Sequence, residues 1–123
     1  MAKILVIDDD AEIVMLLSEF LKREGHEVTS ADDPVEGLKK AQALGPDLII
    51  LDYHMPKASG AHLFESLRRN QKSRKTPIIF MSGEASPEDI LKEISDSQGS
   101  KFLPKPVHLD LFKKALKEML PKS

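Results

Sequence analysis

Short, wholly apolar runs alternate along the chain with longer segments of helical period. Residues 4–7 (Ile-Leu-Val-Ile) have no polar break, the signature of a strand covered on both faces. Ile13, Val14, Leu16, Leu17, Phe20 and Leu21 then recur at helical spacing, predicting a helix that stops near Gly25. Asp9, with Glu12 three residues on, reads as the capping pair of that helix. Residues 27–30 predict a weak second strand. Asp33-Pro34 followed by Glu36 opens a second helix, which ends at Gly45-Pro46. Residues 48–51 form the most apolar run and predict the third strand. After a loop over residues 53–60, Leu63, Phe64 and Leu67 mark a third helix. A basic, unpatterned stretch over residues 68–75 reads as a solvated loop, with docking of an acidic partner or nucleic acid as its alternative. Thr76-Pro77 admits a fourth strand at residues 78–81. Ser86-Pro87 with Asp89 caps a fourth helix carrying Ile90, Leu91 and Ile94, which ends before Gly99. Residues 101–103 predict a short fifth strand, and Leu109, Leu111, Phe112, Leu116, Met119 and Leu120 the last helix.

Five strands alternating with five helices imply an α/β fold, a parallel sheet covered on both faces and joined by right-handed crossovers. Length agrees with a single domain over residues 1–123. With 18 Lys and Arg against 20 Asp and Glu, the net charge of −2 argues against nucleic-acid binding by bulk charge. The absence of cysteine excludes disulfides, thiolate metal sites and thiol catalysis. No apolar run approaches the length of a membrane span or a signal sequence, so the expected location is cytoplasmic.

In open parallel sheets, chemistry gathers beyond the carboxyl ends of the strands, where strand order reverses. The first strand ends in Asp8-Asp9-Asp10 and the third in Asp52; Ser82-Gly83-Glu84 follows the fourth and Pro104-Lys105-Pro106 the fifth. Carboxylates from Asp8, Asp9 and Asp52 brought within a few ångströms repel strongly unless a cation intervenes. Hard oxygen donors without histidine or sulfur favour magnesium over zinc. A carboxylate beside a metal can act as a nucleophile toward phosphorus, and Asp52, on the most buried strand, is the best candidate. Lys105 and the Ser82 hydroxyl would neutralise the equatorial oxygens of the transferring group.

Val6-Ile7-Asp8-Asp9, Leu51-Asp52-Tyr53-His54-Met55-Pro56, Met81-Ser82-Gly83 and Lys105-Pro106 resemble, in order and spacing, the receiver domain of two-component response regulators. The resemblance spans essentially the whole chain. It implies a flavodoxin-like, doubly wound five-stranded sheet of order 2-1-3-4-5 with five helices. It also implies that Asp52 is the phosphoacceptor and that Asp8, Asp9, Asp52 and the backbone carbonyl of His54 hold Mg2+. Ser82 and Lys105 then contact the phosphoryl group, Ser82 and Phe102 form the switch pair, and a cis peptide precedes Pro106. Expected partners are a sensor histidine kinase or phosphotransfer protein and a downstream protein effector, read through a surface of the fourth helix, fifth strand and fifth helix. No direct nucleic-acid binding, no membrane association, and a monomer or weak dimer are expected. The resemblance implies that the chain catalyses only its own aspartyl phosphorylation and dephosphorylation; no output domain is expected after the last helix, with a piece of a longer regulator as the alternative.

Four departures stand out: serine for threonine at Ser82, phenylalanine for tyrosine at Phe102, Lys101 in place of an acidic residue, and Pro104 before Lys105. None removes a residue that phosphoryl transfer requires. A degenerate receiver acting as a phosphorylation-independent interaction module is the alternative, opposed by the intact set Asp8, Asp9, Asp52, Ser82 and Lys105. An aspartate-based phosphohydrolase would need a second aspartate where His54 stands.

Overall fold

The computed structural model describes residues 2–55, 58–83, 100–105 and 108–120. Five strands form one parallel sheet: β1 (Lys3–Ile7), β2 (Glu27–Ala31), β3 (Leu48–Asp52), β4 (Ile78–Ser82) and β5 (Ser100–Pro104), in the order β2-β1-β3-β4-β5. Four helices fall among the described residues: α1 (Ala11–Arg23), α2 (Pro34–Leu44), α3 (Gly60–Arg69) and α4 (Leu109–Met119). The helix expected between Ser86 and Gly99 lies outside the described residues, as do Glu84 and the peptide before Pro106. The loop over residues 53–60 contains a short antiparallel pair, His54–Met55 with Ala58–Ser59.

The apolar runs are continuous because successive side chains serve two cores on opposite faces of the sheet. Leu5, Ile7, Ile49, Leu51, Ile78 and Phe80 pack with Ala41, Leu63, Phe64 and Leu67 of α2 and α3. Ile4, Val6, Leu48, Ile50, Ile79 and Met81 pack with Leu17, Leu21, Phe112 and Leu116 of α1 and α4. Phe80 anchors the first core, with ring centroids 5.4 Å from Phe64 and 5.9 Å from Tyr53. Between α2 and β1 the approach is so close that a Cβ on Gly37 would sit 2.8 Å from Ile7 Cδ1. Any side chain there would force Ile7 to shift.

Two local expectations change. Asp10, not Asp9, caps α1: its side chain accepts from the backbone N–H groups of Glu12 and Ile13. Glu12 at the third position after Asp9 suggested the earlier residue, but Asp9 belongs with the carboxylates of the sheet edge. Asp33 caps α2 as expected, accepting from Glu36 N at 2.8 Å with Pro34 in the first turn. The basic stretch is not simply a solvated loop. α3 runs through Arg68 and Arg69, and the Arg68 guanidinium donates to the carbonyls of Ser73 and Thr76 while lying 4.8 Å from the Phe64 ring centroid. Pro104, at the end of β5, is tolerated because β5 is an edge strand pairing only with β4.

Candidate functional site

The chain leaves β1 toward β2 on one side, then returns to place β3 on the other, so strand order reverses between β1 and β3. Asp8 follows β1 and Asp52 ends β3. Pleat alternation puts them together: Ile7 pairs with Leu51, so the next residues on the two strands are Asp8 and Asp52. Both carboxylate residues are buried, at 1% and 3% exposure, whereas Asp9 is exposed. One carboxylate oxygen from each of Asp8, Asp9 and Asp52 lies within 4.8 Å of the others.

Backbone hydrogen bonds between neighbouring strands fix these positions. Asp8 N donates to Ala31 O at 3.1 Å, Tyr53 N to Met81 O at 2.9 Å, and Lys105 N to Ser82 O at 3.0 Å. The last of these ties the lysine to the residue bearing the buried hydroxyl, Ser82, which is 2% exposed. Lys105 Nζ then reaches across the sheet edge to Asp8 Oδ2 at 3.3 Å and Asp52 Oδ2 at 3.4 Å. Burial alone would lower the lysine's pKa, but the facing carboxylates of Asp8 and Asp52 outweigh it and hold the pKa above its ordinary value. Lys105 is therefore a fixed cation at neutral pH.

One positive charge does not balance three carboxylates, and the hydrogen bonding shows where the shortfall lies. Asp8 Oδ1 accepts from Asp10 N at 2.9 Å. Asp8 Oδ2 is buried, and the Lys105 ammonium 3.3 Å away is the one charged partner found for it among the described residues. Buried carboxylate oxygens sharing a single cation favour a further hard cation. The donor set thus fits magnesium. A cavity of about 470 Å³ opens beside Asp8 and Asp9, walled by Met15, Ser30, Asp32 and Lys40.

A family model for the response regulator receiver domain matches residues 4–117. The chain belongs to that family. This receiver domain is 34% identical to the chemotaxis protein CheY4 of Vibrio cholerae, whose structure superposes with a TM-score of 0.89 over 98% of this chain and 99% of that one. It is 43% identical over 82 residues to the alkaline phosphatase synthesis transcriptional regulatory protein PhoP of Bacillus subtilis, covering 67% of this chain and 33% of that protein. It is 34% identical over 110 residues to the master transcriptional regulator RpaA of Synechocystis, covering 89% of this chain and 45% of that protein. The chain spans a third to a half of the length of these curated regulators. Receiver domains are signalling modules of two-component systems, work with histidine kinases and downstream effectors, and bind magnesium at an aspartate cluster; this one carries the Asp8, Asp9 and Asp52 group. No helix among the described residues is long and apolar enough to cross a membrane.

The structure brings Asp8, Asp9, Asp52 and Lys105 together directly. Ser82 is joined to them through the backbone of Lys105. His54 lies two residues beyond Asp52 on the short antiparallel pair. Phe102 faces Phe80 in the β4–β5 register and packs, half-buried, on the first core. Asp10 both caps α1 and donates its N–H to Asp8. An acidic triplet ahead of a helix is the signal, since a cap directly before the first turn frees the preceding aspartate for the cluster.

Proposed function

We propose that Asp52 is the phosphoacceptor of this receiver domain. The observation that carries the proposal is the buried Asp52 carboxylate, at the strand-order reversal, with Lys105 Nζ 3.4 Å away and Asp8 beside it. In the reaction an Asp52 carboxylate oxygen attacks phosphorus; the new P–O bond replaces the donor's bond, and the leaving group departs with its electron pair and takes up a proton. The donor is the phosphohistidine of a sensor kinase or phosphotransfer protein. Asp8, Asp9, Asp52 and the His54 backbone carbonyl would hold Mg2+, which supplies charge neutralisation for the phosphoryl oxygens when bound. Lys105 orients the group and balances its charge, and the Ser82 hydroxyl donates to it.

Switching follows from the same placement. Attraction of Ser82 toward a phosphoryl oxygen draws the end of β4 inward, and Phe102, half-buried on β5, turns into the space released. The surface that includes β5 and α4 changes with it and is read by a protein effector rather than by nucleic acid. The chain works as a cytoplasmic monomer or weak dimer. The Lys101–Glu118 ion pair ties β5 to α4 within one chain.

The test is intact mass after incubation with acetyl phosphate. A single phosphoryl adduct is expected with Mg2+, none with EDTA, and none in Asp52→Asn. An adduct persisting in Asp52→Asn would overturn the assignment.

A further inference from the structure

Five of the chain's 18 Lys and Arg fall within residues 68–75, a span with no Asp or Glu, in a chain whose net charge is −2. Nothing in the phosphoryl site uses them. They sit before β4, at the amino-terminal edge of the sheet, opposite the edge that carries Asp52 and Ser82. The turn is locked from within. Arg68 binds the carbonyls of Ser73 and Thr76, the buried Ser73 hydroxyl donates to Leu67 O at 2.6 Å, and Asn70 Oδ1 accepts from Lys72 N at 2.9 Å. Such bracing leaves less ordering entropy to be lost if the turn binds a partner.

Beside this turn lies an open groove of about 560 Å³, in which Lys72, Arg74 and Lys75 supply the charge and Pro46, Pro77 and Met119 the apolar walls. None of these three cations pairs with a carboxylate among the described residues. Lys72 Nζ lies 3.5 Å from Gln42 O, and the one acidic residue in the groove, Asp47, is engaged by Lys3 N at 2.8 Å. We infer that this groove is a docking site for an acidic, apolar-interspersed peptide segment of a partner protein, distinct from the phosphoryl site. Peptide is favoured over nucleic acid because the three cations come from four successive residues of one turn, a short footprint for following successive phosphates. No aromatic ring among the described residues lines the groove to stack a base, and the proline and methionine walls suit aliphatic side chains.

The probe is a fluorescein-labelled peptide of alternating glutamate and leucine, titrated against the full chain by anisotropy at two salt concentrations. Saturable binding that weakens with salt is expected. The triple substitution Lys72→Glu, Arg74→Glu and Lys75→Glu should weaken it by about tenfold or more, while Lys113→Glu, Lys114→Glu and Lys117→Glu, an equal charge change on α4, should alter it by less than about twofold. Circular dichroism checks that both variants fold, and Asp52→Asn should bind as the wild type does. Equal loss in both triple variants would reduce the effect to net charge and overturn the site. Absence of saturable binding would overturn it as well. An oligonucleotide of matched charge that binds more tightly than the peptide would overturn the choice of partner.

Discussion

Neutralising Asp9 should stabilise the metal-free protein and weaken its response to magnesium. Asp9 brings a carboxylate oxygen within 4.8 Å of both Asp8 and Asp52, each repulsion amounting to about 0.9 kcal/mol at the dielectric of water and about 3.5 kcal/mol at an effective dielectric near 20. Because Asp9 is exposed, the lower figure governs, and attraction to Lys105 removes part of the sum over two pairs. Asp9→Asn keeps the shape of the side chain, so the expected gain in EDTA is about 0.5–1.5 kcal/mol. For a 123-residue chain each kcal/mol corresponds to a rise of about 4 °C in Tm. Magnesium reverses the comparison. At ten times its Kd the ion stabilises the wild type by about 1.4 kcal/mol, and the variant, lacking one ligand, gains less. Urea unfolding followed by far-UV circular dichroism, in EDTA and in magnesium, measures both effects without needing tryptophan, of which the chain has none. A variant less stable than wild type in EDTA, or one with an undiminished magnesium increment, would refute the electrostatic reasoning.

Three further outcomes follow from the packing. Gly37→Ala forces a Cβ to within 2.8 Å of the buried Ile7 Cδ1 and should cost about 1–3 kcal/mol in urea unfolding, and a neutral result would show that α2 shifts freely. Arg68→Met removes the guanidinium contacts to two carbonyls and to the Phe64 ring, and should lose about 2–3 kcal/mol with faster amide exchange across residues 70–76. Lys101→Ala breaks an ion pair whose side chains are 36% and 44% exposed, so its effect on stability should stay below about 0.5 kcal/mol and shrink in high salt.

The sheet was readable because its strands are buried on both faces, which leaves residues 4–7, 48–51 and 78–81 without a polar break. β2 and β5, the edge strands, were weaker signals for the opposite reason: each pairs on one side only, and their residues are mostly half-buried. Asp8 and Asp52 were legible from the rule that sites lie at strand ends, since pairing Ile7 with Leu51 leaves the two aspartates side by side. Long-range side-chain geometry was not legible. No spacing rule announces that Lys105 reaches Asp8 as well as Asp52, or that Arg68 turns back to bind the carbonyls of Ser73 and Thr76. Asp9 was read as both cap and cluster carboxylate because Asp9 and Asp10 both suit a helix cap, and only the competing demand of the carboxylate cluster separates them.

The most direct measurement locates the phosphoryl group in the wild-type chain. After phosphorylation with acetyl phosphate and Mg2+, borohydride reduction converts an aspartyl phosphate to homoserine, which peptide mass mapping then assigns to a position. Homoserine at residue 52, absent when the phosphodonor or the metal is withheld, is the predicted result. Homoserine at Asp8 or Asp9 with residue 52 unmodified would contradict the central claim.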